Sequence, residues 1–187
     1  SKPLIEFGAE ISKDSIQGED SLSLSILIPW LTERCEIKDL YGRLKDRENS
    51  RFIFNDSIKG DETLDAKTDE LGVIHEFLNR DYLCILPIKT KIEAKTISIF
   101  IDLRSYKEKK SHTNIYFRFL IEPIQKIPMI KNGTGKSTII YDIKINEQRN
   151  IPSNKVSTLS KKRFAKIKNC FLFNIIPNKY DIVFFES

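Results

Sequence analysis

Apolar and polar residues alternate with a period of two along four stretches of this chain. In the first stretch, Ser21, Ser23 and Ser25 alternate with leucine and isoleucine, which leaves one polar face and one apolar face. Such alternation predicts half-buried antiparallel strands, because successive side chains of a strand point to opposite faces. The other apolar sets are Ile97, Ile99, Ile101 and Leu103; Ile115, Phe117, Phe119 and Ile121; and Ile139, Tyr141, Ile143 and Ile145. We expect Ile97, Ile99, Phe117, Phe119, Tyr141 and Ile143 to face the core.

Shorter apolar runs predict five further strands, and polar stretches predict the loops between strands. The short strands are expected at residues 4–11, 51–54, 82–88, 171–176 and 180–186. Residues 55–68 and 105–113 are polar and favour exposed loops.

Apolar residues at helical spacing are fewer and predict three helices. Leu71, Ile74 and Phe77 favour a helix over residues 69–80, and similar spacing favours helices over residues 36–47 and 160–169. About nine strands and three helices together predict a mainly β (α+β) fold. The expected architecture is an antiparallel β-sandwich or a partly open barrel with two or three short helices.

Composition favours a single β-rich domain over residues 1–187, located in the cytoplasm. The chain has 187 residues, of which 40% are hydrophobic, and this suffices for one domain with a core. No run approaches the roughly 20 apolar residues that span a bilayer. Three scattered cysteines predict reduced thiols, and apolar neighbours indicate that Cys84 and Cys170 are buried.

Charge divides the chain into an acidic part and a basic part. Residues 1–104 contain 15 Lys/Arg and 20 Asp/Glu, whereas residues 105–168 contain 15 Lys/Arg and only 4 Asp/Glu. A basic segment of this kind favours a surface that neutralises phosphates, as nucleic-acid-binding proteins do. The alternative is that the two parts compensate each other across the fold.

Five cations in the eight residues 161–168 form the most basic run. Their arrangement on the expected helix over residues 160–169 would bury Phe164 and Ile167 and present the cations on the opposite side. Tyr106 and Tyr116 are candidate stacking partners for bases. The predicted nucleic-acid-binding residues are Lys161, Lys162, Arg163, Lys166 and Lys168, with Lys109 and Lys110 from the loop over residues 105–113.

A glycine-containing stretch, Gly133 to Thr138, is similar to the end of a Walker A loop but lacks the rest of that pattern. Ile130 stands where the first glycine of the loop is required. The residues that follow alternate as a strand does, whereas a P-loop enters a helix. The stretch therefore predicts a loop leading into a strand.

Asp81, Glu93 and Lys95 form the single arrangement with catalytic potential. Their spacing resembles the D…E-x-K core of the PD-(D/E)xK nucleases. The resemblance implies that Asp81 and Glu93 hold Mg²⁺ and that Lys95 helps to activate water, with Glu93 and Lys95 on one strand face.

The histidines and cysteines predict no further catalytic or metal site. His75 and His112 have no second metal ligand at helical spacing. We expect His75 to be a core or surface histidine and His112 to be solvated. The leading expectation is a non-catalytic module without cofactor or metal that binds an anionic partner, nucleic acid first. The alternatives are the Mg²⁺-dependent nuclease and a protein–protein interaction domain of a larger assembly.

Overall fold

A computed structural model describes most of the N-terminal two thirds of the chain and shorter segments beyond. The described residues are 4–28, 31, 34–65, 70–93, 95–110, 113–122, 129–131, 137–139 and 167–175. The strands are β1 (Leu4–Ile11), β2 (Ser21–Leu27), β3 (Glu36–Asp39), β4 (Ile58–Thr63), β5 (Val73–Phe77), β6 (Leu83–Ile85), β7 (Lys89–Glu93), β8 (Thr96–Asp102), β9 (Asn114–Glu122), β10 (Met129–Lys131), β11 (Ser137–Ile139) and β12 (Ile167–Ile175). The helices are α1 (Tyr41–Leu44), α2 (Arg47–Phe54) and α3 (Arg104–Lys110). Within these segments, no helix has the length and apolar character required to cross a bilayer.

The strands form one large sheet, one three-stranded sheet and a small hairpin. The large sheet runs in the order β12-β1-β9-β6-β5-β4, and β3 pairs with the second half of β9. All of its pairings are antiparallel except that between β6 and β9. The second sheet has the order β2-β8-β7, and β10 pairs with β11.

The main core lies between the large sheet and the three-stranded sheet. Ile97, Ile99 and Ile101 point inward from β8 and belong to the same buried cluster as Phe117 and Phe119 of β9. All five are at most 1% exposed. The fold is therefore a mainly β, sandwich-like α+β fold, as predicted, and its described sheets are not closed into a barrel. Tyr141 and Ile143 lie outside the described residues.

A second cluster covers the opposite face of the large sheet. Leu44 and Phe54 of the first two helices pack there against Val73, Phe77 and Tyr116. The side chain of Asp46 caps α2 by accepting a hydrogen bond from the Asn49 N–H at 3.0 Å. Because the large sheet is covered on both faces, its central strands are buried on both sides.

This double burial explains why the helix predicted over residues 69–80 was wrong. Residues 73–77 form β5, in which Ile74 faces the main core and Val73 and Phe77 face the second cluster. Apolar residues occupy both faces of this strand, so its sequence has no alternation and its apolar residues also matched helical spacing.

Several other predicted elements differ from those in the structure. Residues 36–47 form β3 and the short α1, and residues 51–54 end α2 where a strand was predicted. The predicted loops over residues 55–68 and 105–113 contain β4 and α3. The end of the predicted helix at residues 167–169 is instead part of β12, and residues 160–166 lie outside the described segments.

Of the strand predicted from Ile139 onward, after the glycine-containing stretch, only Ile139 itself lies among the described residues, and it belongs to a strand. Residues 137–139 form β11, which pairs antiparallel with β10, so Lys131 lies opposite Ser137. A P-loop connects a strand to a helix, and this hairpin connects two strands. Residues 132–136 lie outside the described residues.

Candidate functional site: a polar cleft beside the bulge in β12

A polar cleft of about 690 Å³ opens where β12, β1 and β9 meet the segment between β5 and β6. Among the described residues, two cations and two carboxylates line it and balance in charge, and three asparagine side chains supply amides. The lining residues are Glu10, Leu78, Asn79, Arg80, Asp81, Tyr82, Leu83, Asn114, Lys168, Asn169 and Phe171.

Glu10 of β1 is the buried anchor of this cleft, with 6% of its surface exposed. Its two carboxylate oxygens accept hydrogen bonds from the Nδ2 atoms of Asn114 and Asn169, each at 2.7 Å. The Nζ of Lys168 lies 3.3 Å from Oε1. One carboxylate therefore connects β1 to both of its neighbouring strands.

These donors keep Glu10 ionised. Burial alone would raise the pKa of the carboxyl, but the hydrogen bonds from Asn169 and Asn114 and the charge of Lys168 outweigh burial, so the pKa lies below its usual value. A carboxylate whose oxygens are already occupied by donors is suited to holding its neighbours in place and is a poor general acid.

A β-bulge brings Lys168 to the cleft. Glu10 pairs with Asn169 and Ile11 pairs with Ile167, so Lys168 is the extra residue of β12 at this point. In a regular strand, Lys168 and Asn169 would point to opposite faces. The bulge lets both side chains reach the Glu10 carboxylate.

The opposite wall is a loop held by Asp56, which follows α2. The Asp56 carboxylate accepts hydrogen bonds from the backbone N–H of Asn79, at 3.2 and 3.3 Å, and from its Nδ2 at 2.9 Å. The Arg80 guanidinium lies over the rings of Phe54 and Phe77, 5.4 Å from each ring centroid. These contacts order the loop, and Tyr82 at its end is 44% exposed.

The predicted nucleic-acid-binding residues fall partly within the described segments. Lys168 lines the cleft from a strand, and the helix predicted there was wrong. Lys109 and Lys110 are the last two residues of α3, where a loop was predicted. The other four predicted residues lie outside the described segments: Lys161, Lys162, Arg163 and Lys166.

Both tyrosines that were expected to stack on bases are buried. Tyr106 and Tyr116 are each 1% exposed, and the Tyr106 hydroxyl donates to the carbonyl of Thr113. Burial raises the pKa of both phenols to about 12. The tyrosine that lines the cleft is Tyr82.

The structure places the three residues of the nuclease resemblance on separate elements. Glu93 is the last residue of β7, with its carboxylate 2.5 Å from the Lys91 Nζ, and Lys95 lies in the following turn with φ of 68°. Glu93 and Lys95 therefore do not share a strand face. Asp81 lines the cleft beside the large sheet, whereas the other two residues belong to the hairpin of the three-stranded sheet. The nuclease function stays a prediction.

Among the described residues, no histidine or cysteine lines the cleft. His75 is a core residue, as one of the two expectations had it, and its Nε2 lies 2.8 Å from the Leu44 carbonyl oxygen. Burial lowers the pKa of His75, which favours the neutral ring.

Cys84 is buried as predicted, and burial raises its pKa. Cys170 is exposed, so the prediction that it is buried was wrong. Among the described residues, no three His, Cys, Asp or Glu side chains group so as to hold a metal ion.

Sequence reasoning missed most of this cleft. Glu10 and its amide partners Asn114 and Asn169 lie more than 100 residues apart and share no motif spacing. The alternation of apolar and polar residues breaks around Lys168, and this break is the one local signal of the bulge. Because Lys168 belongs to the basic run, it was instead interpreted as part of a basic helix.

No protein family, no curated protein and no solved structure matches this chain.

Proposed function

We propose that this chain is a non-catalytic recognition module that binds nucleic acid along the polar cleft, with the basic residues around β12 holding the phosphates. The observation that supports this proposal most is the position of β12. The strand begins at Ile167, inside the basic run, and lines the cleft with Lys168 and Asn169. The chain's densest positive charge is thus joined covalently to the rim of its polar cleft.

Covalent geometry limits how far that charge lies from the cleft. A chain extends at most about 3.6 Å per residue, so Lys161 lies within roughly 22 Å of Ile167. Lys110 ends α3, and Asn114, four residues later, lines the cleft. Two basic segments therefore lead into the same site.

The charged side chains and the amide side chains of the lining are suited to binding different parts of a nucleic acid. Lys168 and Arg80 in the cleft are matched by the carboxylates of Glu10 and Asp81, so the lining adds little net charge. Amide side chains suit hydrogen bonding to base edges, while Lys and Arg bind phosphate without regard to sequence. The basic run then supplies affinity, and the cleft contacts bases.

Fluorescence anisotropy with a labelled oligonucleotide of about 16 nucleotides tests the proposal. Binding weakens as salt rises from about 50 to 200 mM, because each phosphate contact releases counterions. Changing Lys162 and Lys166 to Glu weakens binding and flattens the salt slope by about 1.4 for a single strand, or roughly 0.7 per lost contact.

The matched control reverses two cations that lie outside the cleft. Arg43 in α1 and Lys91 in β7 are exposed, and changing both to Glu alters the net charge by the same amount. We expect this variant to retain most of the affinity. Equal losses of affinity in both variants would show that the effect depends only on net charge. If neither DNA nor RNA binds at low salt, a protein–protein interaction domain remains as the function.

A further inference from the structure

In the part of the chain that the structure describes, the cleft carries one aromatic side chain that is substantially exposed, and this side chain indicates the form of nucleic acid that fits. Tyr82 lies between the ordered loop and β6, with 44% of its surface exposed, and it lines the cleft. Buried tyrosines elsewhere in the described residues contribute to the cores, whereas Tyr82 presents its ring at the edge of a polar site. We infer that the cleft holds an unpaired base of a single strand, stacked against the Tyr82 ring; this inference rests on the proposed function.

The size of the cleft favours an unpaired nucleotide over a duplex. Its volume of about 690 Å³ falls within the range of roughly 300–1,000 Å³ that is typical of sites enclosing a small organic ligand. A nucleotide or two fit such a volume, whereas a double helix presents its bases only from the floor of its grooves. Stacking on an aromatic ring requires a base that has left its pair.

The amides in the cleft are already oriented before a base enters. Asn114 and Asn169 each donate one N–H to Glu10, and Asn79 donates one to Asp56. A side-chain amide has two N–H groups and a carbonyl oxygen, so each has further hydrogen-bonding capacity. Amides held in this way offer polar contacts to a base edge without losing side-chain freedom on binding.

Among the described residues, two other exposed aromatic side chains lie outside the cleft and provide controls. Phe52 in α2 is 88% exposed, and Phe100 in β8 is 47% exposed, on the outer face of the three-stranded sheet. Phe100 pairs across the sheet with Lys89, so it is the strongest competing platform for a base. Each can be changed to leucine in the same way as Tyr82.

The experiment measures affinity by anisotropy for a single strand and for the matching duplex, in the wild-type protein and in three leucine variants. We expect tighter binding of the single strand, and a loss of about fivefold or more in Tyr82→Leu, which is the effect of removing one stacked base. Duplex affinity stays unchanged in that variant. Tyr82→Phe keeps the ring and retains the affinity, and Phe52→Leu and Phe100→Leu bind as the wild type does.

The outcomes separate this inference from the proposed function. If Tyr82→Leu binds the single strand normally while the Lys162 and Lys166 reversal weakens it, stacking at Tyr82 is wrong and the basic surface stands. If Phe100→Leu shows the loss in place of Tyr82→Leu, the base stacks on the three-stranded sheet and the inference is wrong. Equal affinity for single strand and duplex also overturns it. If neither nucleic acid binds, the proposed function fails and the inference fails with it.

Discussion

At the residue scale, Gly8 shows how one missing side chain makes room for an aromatic ring from the neighbouring strand. It lies in the middle of β1, where glycine normally weakens a strand because it has no side chain to pack. The ring of Tyr116, on the neighbouring β9, fills that space. A Cβ added at Gly8 would collide with the Tyr116 hydroxyl group and with the ring carbon that carries it.

Gly8→Ala is therefore expected to destabilise the protein by about 1–3 kcal/mol, since overpacking a filled site forces side chains to move. Urea denaturation followed by circular dichroism measures the change. Gly60→Ala is the matched control: Gly60 also lies in a strand, but its nearest neighbour is the Glu76 carboxylate at an ordinary 3.5 Å. In an unfilled site, alanine gains from reduced chain entropy, so Gly60→Ala is neutral or stabilising. An equal loss at both positions would contradict the assignment of the effect to Tyr116.

At the element scale, the strands that alternate were the predictable ones. Residues 97–103 and 115–121 have one apolar side each that faces the main core, and their predicted core residues are buried. β5 was not predictable from its pattern, because apolar residues on both of its faces removed the alternation. Residues 51–54 were misassigned for a different reason: the cap at Asp46 that starts α2 lies outside that short apolar window.

The buried carboxylate of Glu10 connects three of these elements, β1, β9 and β12, and its ionisation makes that connection depend on pH. The pKa of folded Glu10 lies below the ordinary value of 4.5, so its contribution to stability is fully present above about pH 4.5. That contribution is lost as the pH falls through the pKa of the folded state. Glu10→Gln should therefore cost about 1–3 kcal/mol at neutral pH, the usual effect of breaking buried charged hydrogen bonds.

Urea denaturation at several pH values tests this expectation. The difference in unfolding free energy between the wild type and Glu10→Gln should shrink as the pH falls below about 4.5. Glu19→Gln is the control, because Glu19 is exposed and the substitution removes the same charge. It should leave the unfolding free energy nearly unchanged. A difference between wild type and Glu10→Gln that stays constant down to pH 3 would show that the carboxylate acts through its shape and not its charge.

At the scale of the whole molecule, the main core joins the two sheets into one packed unit. Ile99 of β8 is fully buried between them, while its neighbour Phe100 points outward. Ile99→Ala should cost about 2–5 kcal/mol because it leaves a cavity in the shared core. Phe100→Ala should cost far less, since nearly half of its surface is already exposed. Thermal melting of the two variants measures this contrast, and equal losses would show that the sheets do not share a core.

The candidate site was less predictable from the sequence than the fold. Strand patterns are local, whereas the cleft depends on pairings between residues near 10, 80, 114 and 168. Charge composition did point to the region around Lys168. It did not reveal that Lys168 is an extra residue in a strand, since a bulge is set by the register with β1.

The pairing of β1 with β12 has a consequence for how the protein is made on the ribosome. β1 has β9 as one neighbour as soon as residue 122 has been synthesised, but its other neighbour begins only at Ile167. Roughly fifty more residues must be translated before β12 is complete, which takes about 3–10 s at ordinary elongation rates. During that interval, β1 is an open sheet edge that pairs readily with other chains. The nascent protein therefore exposes an aggregation-prone sheet edge for the seconds before its last described strand arrives.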